Sequence, residues 1–216
     1  MRDSFQKHLE FLHTELVKMG DLCEEAISNA IKGLLDEDPD LRQKAIDMEK
    51  DIDMKEHEIE SMCVRLLLRE QPVAGDLRQI IAAQRIIADM ERVGDQAQDI
   101  ADLSTFMEGS RVKNKSHIAE MAREAAKMLN DSVDSFVESD LEKALGVIRY
   151  DDIVDGFFIK IKKELIDVIS EDNSTGEECL DLMIIAKYLE RIGDHATNIA
   201  EWVVYSITGE RGMLSL

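Results

Sequence analysis

Proline is nearly absent from this chain. Only Pro39 and Pro72 occur in 216 residues, so few places forbid a continuous helical hydrogen-bond ladder. Aromatic residues amount to 5%, with a single tryptophan. A core of Leu, Ile, Met and Ala suits packed helices rather than a sheet. The three cysteines, Cys23, Cys63 and Cys179, are odd in number and lack Cys-x-x-Cys spacing. They form no disulfide framework or thiolate metal site, and fit buried thiols in a reducing compartment. No apolar run reaches the ~18 residues of a membrane-spanning helix. The segment MRDSFQKHLEFLHTEL at the N-terminus has no apolar block of the signal-peptide kind.

Positive charge is also scarce. Against 26 Lys and Arg stand 46 Asp and Glu, a formal net charge of −20. Such a chain repels nucleic-acid backbones and anionic lipid head groups. It suits cations or basic protein surfaces, and it also suits plain solubility. Catalytic signatures are missing: there is no P-loop, no Gly-x-Ser-x-Gly and no His-Glu-x-x-His.

What is present is helical periodicity from end to end. Phe5, Leu9, Leu12, Leu16, Met19, Cys23, Ala26, Ile27 and Ala30 recur at threes and fours. Breakers at Asp38-Pro39-Asp40, Gln71-Pro72, Glu108-Gly109-Ser110, Ser139-Asp140 and Glu171–Gly176 cut this pattern into six pieces. Pro72 suits the start of the third. The pieces average roughly 25–35 residues, or about 40–50 Å of helix. Arg111–Lys115 reads as a basic polar linker. The expected fold is all-α: six long helices forming two repeated antiparallel three-helix bundles, over residues 1–109 and 110–216.

A duplication underlies the two halves. ERVGDQAQDIAD at Glu91–Asp102 returns as ERIGDHATNIAE at Glu190–Glu201, 99 positions later. The second and fifth helices align at an offset of 102, bringing Asp38 onto Asp140, Glu49 onto Asp151 and Asp53 onto Asp155. Each half therefore carries two acid-x-x-x-acid pairs in register. They are Glu49/Asp53 with Glu91/Asp95, and Asp151/Asp155 with Glu190/Asp194. Like charges at this spacing share a helix face and repel. A hard cation with oxygen ligands would relieve the repulsion. The alternative is a solvated acidic surface.

Several neighbours bear on that choice. On a helical wheel Glu91 and Asp95 point away from the apolar stripe of their own helix, which places any site on the surface. Glu49 and Asp53 flank theirs and can meet a neighbouring helix. Asp99 extends the ladder by a turn, and its counterpart is Asn198, a weaker ligand. Gly94 and Gly193 interrupt both copies at about 1 kcal/mol relative to Ala, which fits close approach of a helix or a ligand. Arg92 and Arg191 could pair with the acids instead of a metal. Glu10-x-x-His13 has the spacing of a di-iron motif but no second copy. His195 corresponds to Gln96, which speaks against a repeated ligand role. His8, His57 and His117 have no sequence partners.

QPVAGDLR at Gln71–Arg78, followed by ADMERVGDQAQDIA, resembles the first repeat of the PhoU family of bacterial phosphate-transport regulators. AKYLERIGDHATNIAEWVVYSITGE at Ala186–Glu210 is similar to the second. The resemblance covers nearly the whole chain. It implies two three-helix bundles side by side and a cytoplasmic, non-enzymatic negative regulator of the phosphate-starvation response and of high-affinity uptake. The partners it implies are the ATPase subunit of the phosphate ABC transporter, the sensor histidine kinase of the phosphate two-component system, and a second copy in a homodimer. Nucleic acid and membrane insertion are not among them. It further implies divalent or trivalent metal ions, whether iron, zinc, manganese, magnesium or calcium, in multinuclear form in some members. The family's E(D)xxxD ligands fall on Glu49/Asp53, Glu91/Asp95, Asp151/Asp155 and Glu190/Asp194, with Asp99 and Asn198 one turn on. Because Asn198 replaces an acid, two identical clusters are not expected. The chain shows no Arg cluster or cationic nest, so no phosphate site is expected in it. A carboxylate-bridged metalloenzyme or metal store is the competing expectation.

Overall fold

A computed structural model describes residues 2–210; Met1 and residues 211–216, which the two expected halves include, lie outside it. Six helices follow one another as α1 (Arg2–Leu35), α2 (Pro39–Glu70), α3 (Gly75–Ser104), α4 (Ile118–Glu138), α5 (Leu141–Glu171) and α6 (Gly176–Thr208). Short 3₁₀ turns at Thr105–Met107, Lys113–Lys115 and Asn173–Thr175 join them. The described residues contain no strand. The architecture is the all-α bundle that the periodicity predicts.

The breakers act as local chemistry requires. Asp38 caps α2, its carboxylate accepting from the N–H groups of Asp40 and Leu41, with Pro39 in the first turn. Asp140, its counterpart at the duplication offset, caps α5 by accepting from Lys143 N–H. Caps of this kind satisfy otherwise orphaned donors and contribute about 1 kcal/mol each. Pro72 does not open α3. Ala74 adopts φ 49° and ψ −117°, outside the helical region, so the helix starts one residue later at Gly75. α4 has 21 residues, shorter than predicted, because the chain from Thr105 to His117 runs in turns.

Every residue of the predicted α1 stripe, from Phe5 to Ala30, is buried. Within each half the three helices pack on one another, and across the halves α1 meets α4 while α3 meets α6. Corresponding helices of the duplication thus face each other. α2 and α5 lie outermost, each against helices of its own half. One continuous apolar core runs through both halves.

The segment Arg111–Lys115 is no solvated linker. Val112 and Lys113 are buried, at 2% exposure each. The Lys113 ammonium donates to the Leu34 carbonyl at 2.8 Å and to Glu37 Oε1 at 2.8 Å. Ser110 Oγ donates to Glu178 Oε2 of α6 at 2.6 Å. A buried ammonium is tolerated only when partnered, and this one ties the crossover to the α1–α2 turn.

Candidate functional site

The two carboxylate pairs of the first half are brought together by the close packing of α2 against α3. A Cβ added at Gly94 would stand 3.1 Å from Cδ1 and 3.2 Å from Cγ2 of Ile52. The glycine therefore serves helix approach, and Ile52 precedes Asp53. In the second half a Cβ at Gly193 would meet Val154, the counterpart of Ile52, at 3.3 Å, and Asp151 Oδ1 at 3.7 Å.

Antiparallel packing sets Glu49 opposite Asp95, and Asp53 with Glu56 opposite Glu91. Burial first, then the neighbouring charges of Asp95 and Asp53, push the Glu49 carboxyl above its ordinary value. Glu91 is raised by burial, then by Asp95, with smaller repulsion from Glu56 and Asp53 that Arg92 opposes. Asp151 is raised by burial, with repulsion from Asp155 and Asp194, while a hydrogen bond from Thr197 Oγ1 at 3.2 Å works against the shift. Glu91 and Asp95 are about 30% exposed, so they line the edge of the α2–α3 seam rather than pointing outward. Glu190 is more enclosed and is bonded to Lys187. Asp155 is half-buried and Asp194 exposed.

Asp99 and Asn198 leave these ladders. Each four-residue step turns a helix face by about 40°, which carries both residues toward the α3–α6 seam. Asp99 is exposed. Burial and Asp95 raise its carboxyl, while Arg191 and Tyr188 of α6 oppose the rise. Asn198 Nδ2 stands 3.4 Å from Asp89 Oδ1. The same carboxylate oxygen is 2.9 Å from His195 Nδ1. His195 thus has a partner on the other half, which its mismatch with Gln96 concealed.

Glu56 and Glu60 are ladder residues that the pair motif misses. Their signal is a continuation at i+3 and i+4 along the same face of α2. Arg92 pairs within its own helix, 3.4 Å from Glu91 Oε2 and 3.1 Å from Asp95 Oδ2. His57 stands 3.5 Å from both Asp53 and Glu56. His13 packs edge-on to Phe136 at 5.5 Å, and burial lowers its pKa. His8 reaches Glu70 at 3.5 Å, and His117 reaches Glu164 at 2.5 Å. The three cysteines are free and buried; burial pushes the Cys63 thiol up to about 12.

The donor set consists of carboxylates on facing helices, which fits a hard cation. Among the described residues, no three His, Cys, Asp or Glu side chains are drawn into one chelate. Glu49, Asp53, Glu56, Glu91 and Asp95 face one another across the α2–α3 seam closely enough to repel, but not as a group placed to hold a metal ion. A groove of about 640 Å³ between α1 and α4, floored by Ile27, Ile31 and Ala122, is lined by none of the motif carboxylates.

These features define a class: a duplicated helical body whose two acid-lined seams are set by paired close approaches at glycine. The PhoU domain family matches residues 16–104 and again 118–203. The chain belongs to the PhoU family. It is 37% identical to the phosphate-specific transport system accessory protein PhoU homolog of Clostridium acetobutylicum, covering 97% of both chains. It is 32% identical to the phosphate-specific transport system accessory protein PhoU of Escherichia coli, covering 95% of this chain and 86% of that one. The crystal structure of PhoU from Pseudomonas aeruginosa matches with a TM-score of 0.87 at 34% identity, over 95% of this chain and 100% of that one. That of the phosphate transport system regulatory protein PhoU from Streptococcus pneumoniae also gives 0.87, at 27% identity, over 97% and 100%. No helix among the described residues is long and apolar enough to cross a membrane.

Proposed function

We propose that this chain is a cytoplasmic accessory regulator of the phosphate-specific transport system. It restrains high-affinity phosphate uptake and the phosphate-starvation response when phosphate is plentiful. It does so by relaying the state of the transporter's ATPase subunit to the sensor histidine kinase, and it acts as a homodimer without catalysing a reaction. The observation that carries this reading is the end-to-end match, covering 97% of both chains, to a protein named as an accessory of that system. An acidic body with a single continuous core can present rigid faces to basic partner surfaces. The carboxylate ladders take a divalent or trivalent cation that holds α2 against α3.

The test is a strain lacking the protein, complemented with the full chain. A phosphate-starvation reporter is expected to be on in the deletion strain at high phosphate and off after complementation. Purified ATPase subunit and kinase are each expected to be retained by the immobilised protein. A reporter indifferent to the deletion, with neither partner retained, would sink the reading.

A further inference from the structure

The seam between α3 and α6 has two ends, and the duplication makes them counterparts. At one end Arg78 Nε donates to the Ser206 carbonyl at 3.3 Å. The Arg85 guanidinium lies 5.7 Å from the ring centroid of Trp202, which meets Tyr205 edge-on at 5.7 Å. The chain's own arginines thus cover this aromatic end. At the offset of 99, Trp202 and Tyr205 correspond to Leu103 and Phe106, while Arg78 and Arg85 correspond to Glu177 and Ile184. The other end therefore keeps the apolar ground and loses both arginines. Phe106 is 75% exposed there, Leu180 65% and Ile184 45%. Leu103, Phe106, Ser174, Glu177, Glu178 and Asp181 line one cleft of about 510 Å³. Glu177, Leu180, Asp181 and Ile184 follow one another at i, i+3, i+4 and i+7, so they share a face of α6.

We propose that this cleft, with the adjoining face of α6, docks an arginine-bearing amphipathic helix of a partner protein. The inference places the partner surface on the molecule, and it rests on the regulator reading for there being such a partner. Large apolar side chains grouped in the open mark interaction sites. The charges around them select the occupant. A guanidinium stacks on an aromatic ring and bonds carboxylates in a fork, so Phe106 ringed by Glu177, Glu178 and Asp181 suits arginine. The same carboxylates repel nucleic-acid phosphates and anionic lipid head groups. Leu180 and Ile184 sit one turn apart and match apolar anchors at helical spacing on the partner. The pairing is already made within the chain at the opposite end, where Arg85 of one helix covers Trp202 of another.

The test titrates full-length protein into a labelled synthetic helix of about five turns, with Leu along one face and Arg on the other. Anisotropy is read at about 0.15 M salt. A peptide of the same composition with its apolar face scrambled carries the same charge, and so controls for attraction to a net charge of −20. The amphipathic peptide is expected to bind at least about tenfold tighter than the scrambled one. Phe106→Ala with Leu180→Ala is expected to weaken it about tenfold, and Glu177→Lys with Asp181→Lys likewise. Leu68→Ala, at a leucine of α2 that is 75% exposed, is expected to leave it unchanged. Equal binding of the two peptides, or an equal loss in Leu68→Ala, would overturn the assignment. The Phe106→Ala, Leu180→Ala variant is then immobilised beside wild type with the purified ATPase subunit and kinase. Loss of either partner in the variant alone supports the face. Equal retention by both proteins removes the face and leaves the regulator reading standing. Retention of neither partner by wild type removes the regulator reading, and the face then stands or falls on the peptide.

Discussion

His195 Nδ1 stands 2.9 Å from Asp89 Oδ1, joining α6 to α3 across the two halves of the molecule. Both side chains are largely buried, at 17% and 15% exposure, and Asn198 reaches the same oxygen. Asp89→Ala leaves two half-buried donors without this acceptor. It is expected to destabilise the fold by about 1–2 kcal/mol, read as a lower midpoint in urea. Asp99→Ala, at an exposed position of the same seam, is expected to change stability by less than about 0.5 kcal/mol. Equal losses would show that the seam draws nothing from this pair.

The two interior glycines are expected to respond differently to alanine. Alanine is the better helix former by about 1 kcal/mol. At Gly94 the new Cβ meets two Ile52 carbons at 3.1 and 3.2 Å, and overpacking of this kind costs about 1–3 kcal/mol. Gly94→Ala should therefore be net destabilising. At Gly193 the nearest atom is 3.3 Å away, so Gly193→Ala should be close to neutral. At Gly156, where nothing lies within 4 Å, alanine should stabilise by about 0.5–1 kcal/mol. Thermal denaturation of the three variants gives the order directly.

Lys113→Met retains the side-chain volume but removes the donor to Leu34 and Glu37. The Leu34 carbonyl loses its ammonium partner, and the expected loss is about 2 kcal/mol. The next residue, Asn114, is exposed and serves as the control. Asn114→Ala should be within about 0.5 kcal/mol of wild type. Faster proteolytic cleavage between the halves in Lys113→Met alone would report the loosened crossover.

Without metal, the first-half ladder should make stability depend on pH. Glu49 and Glu91 have folded carboxyl pKa values raised above the ordinary 4.5. Their contribution is fully present below 4.5 and is lost as the pH rises through the raised folded values. Glu15 runs the other way. Hydrogen bonds from Lys18 and Lys55 lower its carboxyl, so its contribution is present above 4.5 and lost as the pH falls through the folded value. Thermal midpoints in chelator should therefore fall less steeply above pH 4.5 in a Glu49→Gln, Glu91→Gln variant than in wild type. Identical profiles would mean that neither burial nor the neighbouring charges raise these carboxyls in the folded state. Glu15→Gln should flatten the acid limb.

Much of this molecule follows from local pattern. Spacing at threes and fours places the α1 stripe in the core, because a helix presents one face per 3.6 residues. Asp38 and Asp140 mark helix starts because a carboxylate there meets free N–H groups. The duplication sets the four acid pairs in register, since each copy inherits the same face. The limits are visible at Pro72, where Ala74 delays the helix to Gly75, and at Lys113, whose charge reads as surface until its partners are known.

The sequence by itself determined the six helices, their duplicated order and the residue types along each acidic face. Tertiary structure alone decided where those faces point. Whether Glu91 meets Asp53 and Glu56, whether Asp99 and Asn198 turn to the α3–α6 seam, and whether His195 finds Asp89 all depend on the relative rotation of whole helices. That rotation is set by side chains distant in sequence, such as Ile52 against Gly94. Periodicity is a property of one helix, whereas a seam is a property of two.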